Sequence, residues 1–171
     1  MNFMNQLHVD PAHFEHFKKY RGDKKVFIET GTNKGNSSYT ALQAGFESVI
    51  SVEIVDSLYN YCMEQFRDYD NVTLFNGDSK ECLPKMLEMV DEPAFFWIDS
   101  HFDHYDGEAH TELDILKDHT INTHTIMVDD LAQINDTEVI IEKLKAINPD
   151  YTLEYLDSLG RKNYKMIAYI E

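Results

Sequence analysis

Apolar residues along this chain change their spacing in a regular way. Short apolar runs rich in β-branched or aromatic side chains occur at Val26-Phe27-Ile28, from Ser48 to Val52, from Val72 to Phe75, from Ala94 to Ile98 and from Thr125 to Val128. Each reads as a strand, and the unbroken run Ala94 to Ile98 is that of a strand covered on both faces. Between them lie segments with helical spacing. They run from about Asn36 to Ala44, from Asp56 or Ser57 to about Arg67, from the Gly77-Asp78-Ser79 turn to near Val90, and from about Glu108 to Asp118. A polar helix from Pro11 to Tyr20 precedes the first strand. A helix from Thr137 to Ile147, with Val139, Ile140, Leu144 and Ile147 on one face, follows the fifth. Gly45 stands where a helix C-terminus needs a left-handed residue, and Pro84 predicts an irregular first turn in its helix. Tyr151 to Leu156 and Tyr164 to Ile170 read as two strands joined around Gly160.

Strand and helix thus alternate five times before a closing hairpin. Parallel strands joined by helices require right-handed crossovers and helices on both sheet faces. The prediction is an α/β fold: one Rossmann-like, doubly wound domain over residues 1–171, with residues 1–24 as an N-terminal helical extension. Its sheet is seven-stranded and mostly parallel, with an antiparallel strand from the C-terminal hairpin.

Charge narrows the partners. Lys and Arg number 15 against 31 Asp and Glu, a net charge of -16. Duplex DNA and anionic membranes are bound through Lys and Arg, so nucleic-acid and membrane partners are disfavoured. The one dense basic group, Lys18, Lys19, Arg21, Lys24 and Lys25, reads as a solvated face. Cys62 and Cys82 have no motif spacing and read as reduced core residues. The start, MNFMNQLHVDPAHF, has neither a basic opening nor an apolar run, and no stretch approaches the ~18 apolar residues of a membrane span. A cytoplasmic location is expected.

In open parallel sheets the ligand lies beyond the carboxyl ends of the strands. Here every parallel strand ends in an acid: Glu29, Glu53, Asp78, Asp99, and Asp129 with Asp130. After the first strand, Gly31 and Gly35 permit a tight turn and close approach of a ligand, and the helix opening at Asn36-Ser37-Ser38 offers free N–H groups. Glu53 follows Gly31 by 22 positions, near the ~20-residue offset at which an acid reaches a ribose diol. A dinucleotide pyrophosphate wants glycines and no nearby anion. Glu29 would repel it, and Asn33 replaces the middle glycine. The same acids would attract an ammonium or a sulfonium. One ion pair at ~4 Å amounts to about 4 kcal/mol at an effective dielectric near 20, enough to favour S-adenosylmethionine (SAM) over NAD.

These residues carry a family resemblance. From Val26 to Ile134 the chain resembles the class I SAM-dependent methyltransferases, in particular small, largely uncharacterised members. Phe27-Ile28-Glu29-Thr30-Gly31-Thr32-Asn33-Lys34-Gly35 is similar to their first motif, Ser51-Val52-Glu53-Ile54 to the second, Asn76-Gly77-Asp78-Ser79 to the third and Phe96-Trp97-Ile98-Asp99-Ser100-His101 to the fourth. Ile126-Met127-Val128-Asp129-Asp130 resembles the end of strand five. The resemblance implies SAM as cofactor. Glu29, Thr30, Gly31, Thr32, Asn33, Gly35 and Ser37 would surround its methionine end. Glu53, with Ile54, would bind the ribose. Asp78 and Ser79 would flank the adenine, and Asp99 would face the methyl group and the acceptor. Asn33 departs from the family pattern.

Asp99, His101, Asp129 and Asp130 leave three readings open. Asp99, Asp129 and Asp130 would hold a divalent cation, magnesium or calcium, as in related metal-dependent O-methyltransferases. Alternatively Asp99 or His101 is a metal-free general base, or Asp99 caps the next element while His101 packs on the loop. His104, His110, His119 and His124 read as surface residues, Phe95, Phe96 and Trp97 as core, and the loop Phe102 to Gly107 as an acceptor lid. The expectation is a SAM-dependent methyltransferase acting on a small-molecule acceptor, in the metal reading a metal-assisted O-methyltransferase. The alternatives are a metal-dependent hydrolase or hydroxylase-like enzyme on the same fold, and a non-catalytic SAM-binding module. So little chain lies outside the core that the site is either open or completed by a second subunit of a homo-oligomer.

Overall fold

The computed structural model describes residues 6–100, 108–134, 137–158 and 160–171. Its strands are β1 (Val26–Thr30), β2 (Ser48–Glu53), β3 (Val72–Asn76), β4 (Phe95–Ile98), β5 (Thr125–Val128), β6 (Thr152–Ser158) and β7 (Arg161–Tyr169). They form one seven-stranded sheet in the order β3-β2-β1-β4-β5-β7-β6. The first five strands are parallel to their neighbours, and β7 runs antiparallel to both β5 and β6. The chain therefore reverses direction across the sheet between β1 and β4. Cleft-forming loops gather at such a switch point.

Side-chain alternation divides the core in two. Ile28, Ile50, Phe96, Ile98, Ile126, Val128, Met166 and Ala168 lie in one cluster with residues of α4 (Ser79–Leu87), α5 (Glu108–Lys117) and α6 (Thr137–Ile147). Phe27, Val49, Phe95, Trp97, Met127 and Ile167 lie in the other, with residues of α1 (Pro11–Tyr20) and α2 (Asn36–Gln43). The remaining helix, α3 (Asp56–Gln65), contacts β2 and β3. A period of two in every central strand thus makes a sheet covered on both faces.

Helix α1 is more than a polar extension. Asp10 caps it, accepting from the N–H of Ala12 at 2.8 Å and of His13 at 3.3 Å, and Pro11 stands in its first turn. Phe17 has no exposed surface and packs against Phe27, Phe95 and Trp97 at ring separations of 4.9–5.6 Å. Its sequence hides this role, because one apolar position every turn among His, Lys and Glu carries a whole contact. Pro84 lies within α4, which begins as a regular helix behind the cap of Asp78.

His124 is a correction to the surface reading. It is fully buried, and its Nδ1 accepts the Ala94 N–H at 3.0 Å. That leaves Nε2 as its donor, 2.9 Å from His119 Nδ1. Burial holds the His124 pKa down to about 4. Cys62 and Cys82 are buried and unpaired. Among the described residues no helix is long and apolar enough to cross a membrane.

Candidate functional site

The loop after β1 is shaped by backbone bonds and three left-handed residues, Gly31, Asn33 and Gly35. Gly31 and Thr32 both donate their N–H to Val52 O at 3.0 Å, and Gly35 donates to Thr32 O at 2.9 Å. Gly31 has φ +88°, and a Cβ there would stand 2.5 Å from the carbonyl oxygen of Asp99. Glycine is required at this point by both conformation and space. Asn33 has φ 51°, a conformation that asparagine tolerates better than most residues and that suits its place where glycine is usual.

Glu53, at the end of β2, ties the loop to the next helix. Its Oε2 accepts from Asn33 N–H at 2.7 Å and its Oε1 from Val55 N–H at 2.9 Å. Each oxygen retains further acceptor capacity. Opposite it, Asp78 caps α4, its Oδ1 accepting from Lys80 N–H at 2.9 Å. These groups bound a cleft of about 270 Å3, near the ~300 Å3 lower end of small-molecule sites. The loop after β1 contributes Gly31 and Asn33 to its lining, and the end of β2 with α3 contributes Glu53, Ile54 and Leu58. The start of α4 contributes Asp78 and Ser79, and the segments after β4 and β5 contribute Asp99, Ser100 and Asp130.

Glu29 sits elsewhere. Its carboxylate is fully buried beneath the loop and accepts hydrogen bonds from the hydroxyls of Ser37, Ser38 and Ser51. Ser51 Oγ is also 2.6 Å from Thr32 Oγ1. Burial outweighs the three serine bonds and pushes the Glu29 pKa up to about 7. Glu29, Thr32 and Ser37 therefore support the loop from below rather than line the cleft. Thr30 is likewise buried and accepts the Asp99 N–H through Oγ1 at 3.3 Å. Gly35 opens α2 with φ +80° against the Phe66 ring.

The acids that follow β4 and β5 part company. Asp99 lines the cleft, and burial, reinforced by the fields of Asp129, Asp130 and Glu29, holds its carboxyl well above the usual range. Asp130 lines it too, in a left-handed conformation with φ 49°. Asp129 does not. Its Oδ1 accepts the Asp130 N–H at 2.9 Å, and its Oδ2 faces Lys165 Nζ at 3.9 Å and His13 Nε2 at 3.8 Å. Burial, partly offset by Lys165, pushes Asp129 up to about 6. The three acids thus do not converge on one point. Among the described residues no group of three His, Cys, Asp or Glu side chains is placed to hold a metal ion. The donor set does not fit the expected magnesium or calcium. His101 and the expected lid from Phe102 to Gly107 lie outside the described residues.

Sequence reasoning passed over His13 and Lys165. The alternation in β7 that buries Ile167 on the α1 face places Lys165 on the same face, a signal present in the string Lys165-Met166-Ile167.

Neither a protein-family model nor a curated protein matches the chain. Solved structures do. An O-methyltransferase from Bacillus cereus in complex with S-adenosylhomocysteine (SAH) is 17% identical, with a TM-score of 0.72, covering 97% of this chain and 84% of that one. A precorrin-6y C5,15-methyltransferase from Geobacter metallireducens is 14% identical, with a TM-score of 0.68, covering 98% and 92%. The O-methyltransferase TomG from Streptomyces achromogenes, in complex with SAM, is 14% identical, with a TM-score of 0.62, covering 96% and 82%. The chain has the Rossmann-like fold of class I SAM-dependent methyltransferases. At these identities the likeness is one of fold.

Proposed function

We propose that the chain is a SAM-dependent methyltransferase acting on a small-molecule acceptor. The observation that carries this reading is Glu53. Its carboxylate is fixed at the end of β2 by two backbone N–H groups while still lining the cleft, beside the left-handed Gly31 to Gly35 loop. A pre-oriented carboxylate with spare acceptor capacity suits a ribose diol. In this reading Gly31 and Asn33 contact the methionine end, Ile54 and Leu58 supply an apolar wall, and Asp78 and Ser79 flank the adenine. Thr30, Thr32, Gly35, Ser37 and Glu29 act by holding the loop. Four cleft carboxylates, Glu53, Asp78, Asp99 and Asp130, favour a cationic ligand and repel a pyrophosphate.

When bound, SAM supplies an electrophilic methyl group whose sulfur leaves with the bonding electron pair. The residues of this chain align and exclude water. Asp99, at the acceptor end, has a carboxylate made more basic by burial and by neighbouring acids, and it takes the acceptor's proton. Asp129 is engaged with Lys165, so we assign it no cation. The expected lid at Phe102 to Gly107, with His101, adjoins this end in sequence and belongs to the same proposal.

Isothermal titration with SAM, SAH and NAD tests the reading. Micromolar binding of SAM and SAH with no NAD binding is expected, and binding of NAD alone overturns it.

A further inference from the structure

We propose that the buried pair Lys165 and Asp129, behind the acceptor end of the cleft, sets how strongly the cleft prefers a sulfonium donor over its neutral demethylated product. The inference rests on the reading that the cleft holds SAM. It concerns residues that do not line the cleft.

Among the described residues Lys165 is the only buried Lys or Arg, and it has no exposed surface. Its Nζ makes no hydrogen bond. It lies 3.9 Å from Asp129 Oδ2 and 4.7 Å from the centre of the Trp97 ring. An ammonium so enclosed is disfavoured by desolvation, and the fields of Asp129, Asp99, Asp10 and Asp130 oppose that cost. His13 and His16 face the same group from α1. The His13 ring lies tilted against Trp97 at a ring separation of 4.9 Å, and its Nε2 stands 3.8 Å from Asp129 Oδ2. Trp97 lies on β4 two positions before Asp99, which follows the end of that strand, and the field of the Asp99 carboxylate reaches Lys165. Asp99 lines the cleft. An amine and a carboxyl group, 3.9 Å apart and both buried, therefore lie beside the cleft's Asp99 and under α1.

The donor and its product differ by one methyl group and one positive charge. To first order, a remote charge alters their relative affinity and leaves their shared contacts untouched. Lys165 lowers the preference for the cation and Asp129 raises it. Lys165 is thus a positioning residue acting through the field of its charge.

The test measures Kd for SAM and for SAH at pH 8 by calorimetry on four full-length proteins: wild type, Lys165→Met, Asp129→Asn and the double variant. The ratio of SAH Kd to SAM Kd is expected to rise about three- to tenfold in Lys165→Met, to fall by a similar factor in Asp129→Asn, and to return near the wild-type ratio in the double variant. Affinity for neutral SAH reports whether each variant retains the cleft. If Lys165→Met does not fold, the opposite shift in Asp129→Asn carries the decision. Equal changes for both ligands in every folded variant overturn the inference while leaving the cofactor reading intact. Failure of the wild type to bind either ligand overturns the cofactor reading, and this inference falls with it.

Discussion

Glu29 lies one residue before the end of β1 and Glu53 ends the adjacent β2, and both are buried, yet their surroundings set them different tasks. Glu29 is saturated by serine hydroxyls, while Glu53 takes one backbone N–H on each oxygen and still faces the cleft. The raised Glu29 pKa has a definite consequence for stability. Below its ordinary value of 4.5 the carboxyl is protonated in folded and unfolded chains alike, and above about 7 it is ionised in both, with burial penalising the folded form. Its contribution is therefore lost as pH rises from about 4.5 to 7. His13 and His124, both depressed to about 4, contribute in the opposite sense: their stability is lost as pH falls below 6.5. A comparison with Glu29→Gln removes the histidine terms. The wild-type Tm minus the variant Tm should fall between pH 5 and pH 7.5, and a flat difference contradicts the assignment. Glu53→Ala should weaken SAH binding about tenfold to a hundredfold, the range for hydrogen bonds to a charged group, as measured by calorimetry. An unchanged Kd contradicts the proposed ribose role.

Which strands end in an acid is legible in the sequence; where each carboxylate turns is not. Strand boundaries fix alternation, so Asp99 and Asp129 share a face, but a lysine arriving from β7 decides that Asp129 turns inward. That contact joins residues 36 positions apart in sequence. The burial of His124 was equally hidden, because nothing local announces that the Ala94 N–H lacks a strand partner and needs a side-chain acceptor.

At the scale of elements, the alternation of hydrophobic runs located all seven strands and six helices, since each central strand is apolar on both faces. The weight carried by α1 was not visible, because its buried residues, Phe17 and Tyr20, stand among charged neighbours. Phe17→Ala should cost about 3–5 kcal/mol in urea unfolding, the range for a large aromatic lost from a core. A loss below about 1 kcal/mol would mean that α1 does not belong to the cooperative unit. The β1–α2 loop makes a second element-scale prediction. Gly31→Ala places a methyl 2.5 Å from a backbone carbonyl at φ +88°, which only backbone movement relieves. It should cost about 2 kcal/mol or more and weaken SAH binding together with stability. Loss of neither contradicts the packing of the loop against Asp99.

For the molecule as a whole, sheet order and charge act together. The switch between β1 and β4 opens the cleft, and strands that end in acids make its walls negative. A net charge of -16 agrees with a cationic ligand. The most direct measurement is a crystal structure of the chain grown with SAH. The account predicts density between the Gly31 to Gly35 loop and Ser79, with the ribose hydroxyls on the Glu53 carboxylate. Density at any other place on the surface, or a Glu53 that makes no contact with the ligand, would contradict it.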